Sequence, residues 1–215
     1  MSIWKPVFCL SFILLGIPGL NLSAQDISQR LEWAVENNDT AQVARILKTN
    51  PELLMTPLPA GGAPLGTAAA LGHWETTAFL LEKGAGYQSP DPQGNQAYLA
   101  AYLNNHKGLA KFLITRGADP LSTDQMGNTL LHLMSKISTS WWPEILSGNY
   151  DLEVKNFLGQ TPFMRAVWDE NLTLADVLSR EGVQTEEVDY LGRTVEDYAR
   201  RNADEGMILF LYSLR

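Results

Sequence analysis

Apolar residues recur along this chain at helical spacing in short bursts, and each burst is closed by glycine, asparagine or proline. Leu31, Ala34 and Val35 form the first set. Val43, Ile46 and Leu47 form the second, opened by Asp39-x-x-Gln42 in the pattern of a capping box and stopped before Pro51. The spacing predicts two helices between Asp26 and about Met55 with no turn motif ahead of them. From Leu58 onward the bursts come in pairs, a short alanine-rich one and a longer one, each pair preceded by a glycine-bearing turn.

These pairs repeat. Thr129-Leu130-Leu131-His132, after the turn Asp124-Gln125-Met126-Gly127, answers to Gln96-Ala97-Tyr98-Leu99 and Ala63-Pro64-Leu65-Gly66 at upstream steps of 33 residues. Downstream it answers to Thr161-Pro162-Phe163-Met164 after 32 residues and to Thr194-Val195-Glu196-Asp197 after 33 more. Within a unit, Pro64 sits at a first helical position, where its missing N–H leaves nothing unpaired. Ala68, Ala69 and Ala70 keep that helix thin, Gly72-His73 ends it, and Trp74 to Lys83 forms the outer helix closed by Gly84. The third unit has a short outer helix around Trp141-Trp142-Pro143, and the fourth predicts one from Leu172 to Glu181. The fifth ends on Met207 to Leu214.

With five units in phase, the chain resembles the ankyrin-repeat family across nearly all of its length after residue 24. The resemblance implies an all-α repeat solenoid of about five helix-turn-helix repeats with β-turn fingers and a helical cap at each end. Its units are a cap over 25–57, repeats over 58–90, 91–123, 124–155 and 156–188, and a capping repeat over 189–215. Gly66 and Leu99 depart from the family pattern, which usually has His there. Such an array needs no single globular core, because each unit packs on its neighbours.

The resemblance also implies where a partner binds. Counted from each turn Asp or Asn, the second, third, fifth, thirteenth and fourteenth positions line the surface formed by fingers and inner helices. This gives Met126, Asn128 and Lys136 in the third repeat, and Phe157, Leu158, Gln160, Trp168 and Asp169 in the fourth. In the fifth it gives Tyr190, Arg193 and Arg201. Phe157, Trp168 and Tyr190 are expected to be exposed, as apolar anchors of an interface are. Leu158 and Leu191 suit either exposure or packing between fingers. Trp141-Trp142 is either a second patch or a filling for the gap left by its short helix.

Charge argues against nucleic acid, which leaves the protein partner that the repeat surface implies. The formal charge is −8, and −9 without the segment carrying Lys5. An acidic chain lacks the basic stripe that nucleic acid requires. Residues 1–24 read as a signal peptide: Lys5, an apolar run from Val7 to Ile17, then Leu22-Ser23-Ala24 as the cleavage site. The expected location is periplasmic or secreted and the expected state a monomer; a retained segment would instead make a membrane-anchored scaffold. The only cysteine, Cys9, lies inside that segment, so the rest of the chain has no thiol for a disulfide, a nucleophile or a metal. His73, His106 and His132 fall at structural positions of successive repeats, and no metal-spaced pair exists. Glu186-Glu187 and Asp204-Glu205 read as solvated charge. An enzyme built on this scaffold would need a catalytic cluster, and no nucleophile elbow or phosphate loop is present, so neither catalysis nor a cofactor is expected.

Overall fold

A computed structural model describes residues 23–136, 151–202 and 204–214. The expected leader up to residue 22, the third outer helix and Trp141-Trp142 lie outside these residues. Among the described residues there are eleven α-helices. The cap is α1 (Ala24–Glu36) and α2 (Thr40–Thr49), followed by a 3-10 turn at Pro51–Leu54. Inner and outer helices then alternate as α3 (Pro64–Ala70) and α4 (Trp74–Glu82), and α5 (Ala97–Leu103) and α6 (Lys107–Thr115). The third repeat shows its inner helix, α7 (Leu130–Leu133), running into a 3-10 turn at Met134–Lys136. The fourth is α8 (Pro162–Trp168) with α9 (Leu172–Arg180), and the fifth α10 (Val195–Asn202) with α11 (Glu205–Ser213). No described helix is long and apolar enough to cross a membrane.

Local chemistry sets these boundaries. Ser23 caps α1 through a capping box: its Oγ accepts from the Asp26 N–H at 3.1 Å, and Asp26 accepts from the Ser23 N–H at 3.0 Å. At α2 the recorded half of the expected box is Asp39 accepting from the Gln42 N–H at 2.9 Å. At the four such junctions that the described residues show, the residue that turns an inner helix into its outer one adopts positive φ: Asn38, Gly72, Asn105 and Glu170. Only Glu170, at φ 57, has neither the freedom of glycine nor the local bonding of asparagine. Glu170→Gly is therefore expected to stabilise the array by about 1 kcal/mol, read as a raised urea midpoint with unchanged slope.

Packing follows from side-chain size. α1 lies on α3, α3 on α5, α7 on α8 and α8 on α10, so the inner helices form a stack. Ala68, Ala69, Ala100 and Ala101 are fully buried and let neighbouring backbones approach, while the equally buried Tyr98 donates its hydroxyl to the Ser122 carbonyl at 2.8 Å. The closest approach is at Gly66, where an added Cβ would meet the Pro90 carbonyl carbon and oxygen at 2.2 Å. Where the family places His, this chain thus lays the next finger directly against the helix. At the far end the stack closes with charge. Glu196, Asp197 and Arg200 of α10 stand one repeat on from the buried Phe163, Met164 and Val167 of α8. This is the polar outer face that a terminal repeat needs.

Candidate partner-binding surface

Each finger is built around its first residue. Asp91, Asp124, Asn156 and Asp189 accept through Oδ1 from the N–H groups two and four residues on, all at 2.8–3.0 Å. Their carbonyls accept from the N–H of Gly94, Gly127, Gly159 and Gly192, each glycine at positive φ. The fifth position closes the loop, its carbonyl accepting from the first residue's N–H. A finger fixed this firmly holds its second and third side chains outward at little entropic cost.

The fifth-position side chains bend back instead. Asn128 Nδ2 donates to Asp124 Oδ2 at 3.0 Å, and Arg193 reaches Asp189 Oδ2 at 2.6–2.7 Å. Gln160, expected on the surface, is 2% exposed. Its Nε2 donates to the Tyr198 hydroxyl at 3.0 Å, and its Oε1 accepts from Asn156 Nδ2 at 3.1 Å. Asn156 Nδ2 also donates to Asn128 Oδ1 at 2.8 Å, and Tyr198 donates to Asp189 Oδ2 at 2.5 Å. A chain of hydrogen bonds thereby runs from Asn128 to Arg193 across three fingers. Burial pushes the Asp189 carboxyl up, but the Tyr198 hydroxyl and Arg193 outweigh it and hold the group down at about 2. Gln160 is therefore corrected from surface to core, and Asn128 and Arg193 to half-buried members of this chain.

The inner-helix positions are also more engaged than expected. Trp168 is half-buried: Tyr198 meets its ring edge-on at 5.2 Å and the Arg201 guanidinium covers it at 4.7 Å. Asp169 pairs with Arg165 at 3.0 Å and accepts from the Ser135 hydroxyl. Trp168 and Asp169 thus hold the array together, against the expectation of free side chains. The Lys136 side chain lies outside what the structure describes.

What remains outward is apolar. Met126 is exposed, Phe157 and Tyr190 are each 69% exposed, Leu158 is 44% and Leu191 is 73%. The Phe157 ring lies against Gly127, where a Cβ would come within 2.6 Å, and the Tyr190 ring lies against Gly159, where it would come within 2.7 Å. Adjacent fingers also share a backbone bond, Phe157 N–H to Met126 O at 3.0 Å and Tyr190 N–H to Leu158 O at 3.1 Å. One face of each ring packs and the other stays open. Leu191, which the sequence left undecided, is the most exposed of the set.

The histidines do not converge. His132 is fully buried: its Nδ1 accepts from the Thr129 N–H at 3.1 Å and its Nε2 donates to the Gln160 carbonyl at 2.9 Å. Burial pushes this imidazole down to about 4. His73 Nδ1 lies 2.9 Å from the Val35 carbonyl, a whole repeat away. Among the described residues no cluster of His, Cys, Asp and Glu could hold a metal ion.

Comparison with known proteins agrees with this architecture. The family model for ankyrin repeats (3 copies) matches residues 31–124. Rabankyrin-5 of Mus musculus is 29% identical over 156 residues, 72% of this chain and 11% of that protein. Protein phosphatase 1 regulatory subunit 27 of Homo sapiens is 30% identical over 94 residues, 44% of this chain and 61% of that protein. The chain thus spans less than two thirds of either relative. Among solved structures, a chain of the complex between the predatory endopeptidase Bd0816 of Bdellovibrio bacteriovorus and immunity protein Bd3460 has a TM-score of 0.76. It is 24% identical, with 87% of this chain and 98% of that one covered.

Proposed function

We propose that the chain, whose residues 31–124 match the ankyrin-repeat family model, is a non-catalytic ankyrin-repeat protein of the cell envelope that holds a partner protein on the tips of its last three fingers. The observation that carries this is the exposure of Phe157, Tyr190 and Leu191 on two successive fingers whose turns are held by internal hydrogen bonds. Rigid, exposed aromatic and aliphatic groups of this kind are what interface hot spots are made of. Protein binding is also what ankyrin repeats generally serve, and the structural neighbour is a chain of a complex between two proteins. Export is supported by Lys5, by the apolar run from Val7 to Ile17 and by the absence of cysteine after Cys9.

The test is affinity capture from envelope extract, read by mass spectrometry, with the native chain and with a variant carrying Phe157→Ala, Tyr190→Ala and Leu191→Ala. At about 2 kcal/mol for a hot-spot truncation, the triple change weakens capture by more than about a hundredfold while helicity is kept. Undiminished capture by the variant would end this assignment. Trp168 is left out because its loss disturbs Tyr198 and Arg201. The intact mass of the exported chain tests the leader. Cleavage after Ala24 would take the Ser23 cap with it, so the cut chain is expected to be less stable than the uncut one by about 1 kcal/mol.

A further inference from the structure

We infer that the last finger is an unfilled stacking site for an extended partner segment bearing an aromatic side chain, whose N–H bonds to the Leu191 carbonyl and whose ring covers Gly192. The chemistry of the occupant is set by the two steps before it, and the inference rests on the partner-binding reading above. In each step the second residue of the next finger donates its N–H to the third-position carbonyl behind it, at 3.0 and 3.1 Å. In each step, too, that residue's ring rests on the glycine at the fourth position. At the third step the acceptor and the glycine are present, and no described residue lies on them. Among the described residues no hydrogen bond reaches Leu191 O, and an added Cβ on Gly192 would meet nothing within 4 Å. Extended backbone added to such an edge gains main-chain bonds, and the ring supplies selectivity.

Two other occupants fit less well. A sixth repeat would set its inner helix on Glu196, Asp197 and Arg200, where the preceding repeats bury Phe163, Met164 and Val167. A second copy would have to offer an aromatic finger residue, but Phe157 and Tyr190 have already donated their N–H groups within their own array. A partner's strand remains.

The probe is a blocked hexapeptide of threonines with one central phenylalanine, titrated into the full chain and followed by backbone amide shifts. The expected result is saturable shifts at Leu191, Gly192 and Arg193. Affinity should fall at least about tenfold when the phenylalanine becomes alanine or its amide nitrogen is methylated. Gly192→Ala should weaken binding by a similar factor. Gly182→Ala is the control: it carries the same kind of positive-φ strain, φ 83 against 74, with equally open surroundings, and should leave binding unchanged. Absence of binding, equal binding of the methylated peptide, or shifts centred elsewhere would overturn the inference. If the peptide fails while the Phe157, Tyr190 and Leu191 triple variant still loses its partner, the finger tips remain the site and only the strand-addition mode is lost. If capture survives the triple variant, the broader function fails instead.

Discussion

Gly66→Ala lowers the stability of the array by about 3 kcal/mol, at the upper end of what overpacking by one methyl costs. Alanine normally strengthens a helix by about 1 kcal/mol over glycine, so the sign alone is informative. The added Cβ would sit 2.2 Å from the carbon and oxygen of the Pro90 carbonyl and 2.5 Å from the Asp91 nitrogen. These are backbone atoms, and the 2.6 Å bond from the Ala63 N–H to the Pro90 oxygen ties them to the same helix. Neither partner can yield without opening the second finger. Gly108 of α6 gives the comparison, because its Cβ would meet only the Trp74 ring at an ordinary 3.7 Å. Urea melts should therefore move in opposite directions, up for Gly108→Ala and down for Gly66→Ala. Two upward shifts would mean that the finger does not rest on the helix as described.

Acidification between pH 6.5 and 4 removes about 3 kcal/mol of stability through His132 alone. Burial lowers this imidazole from 6.5 to about 4, so the folded chain binds fewer protons than the unfolded chain throughout that window. The contribution is whole above pH 6.5 and drains away as the pH falls toward 4. Protonation would force Nδ1 to give up its acceptor role toward the Thr129 N–H, which has no other partner in the helix start. The Asp189 carboxyl, held near 2, titrates below this range and does not confuse it. Chemical denaturation at pH 7 and pH 5 is the measurement. The native chain should lose stability between them, and His132→Leu should be weaker at pH 7 but flatter between the two. A variant with the native slope would assign the acid sensitivity to other groups.

Much of the fold was legible because its signals are local. Asp39, Pro64 and the glycines of the turns each act within a few residues, and each stands at the helix start or turn where the pattern placed it. The surface was harder to read. Gln160 occupies a slot named from repeat position alone, and nothing near it in sequence indicates that Tyr198, thirty-eight residues on, will take its amide. Trp168 is similar, since its cover is Arg201 from the next repeat. Gly66 shows the converse: the sequence marked a missing histidine but could not show that the neighbouring backbone fills its place. Contacts between repeats depend on the exact rise from one unit to the next, which periodicity does not supply.

The charged face of α10 has a consequence for how such a chain could lengthen. Duplicating the fifth unit in tandem would bury Glu196, Asp197 and Arg200 inside a new junction. Growth of the gene by copying its tail is therefore blocked, while insertion of a copied middle unit, with Phe163, Met164 and Val167 at its seam, stays open.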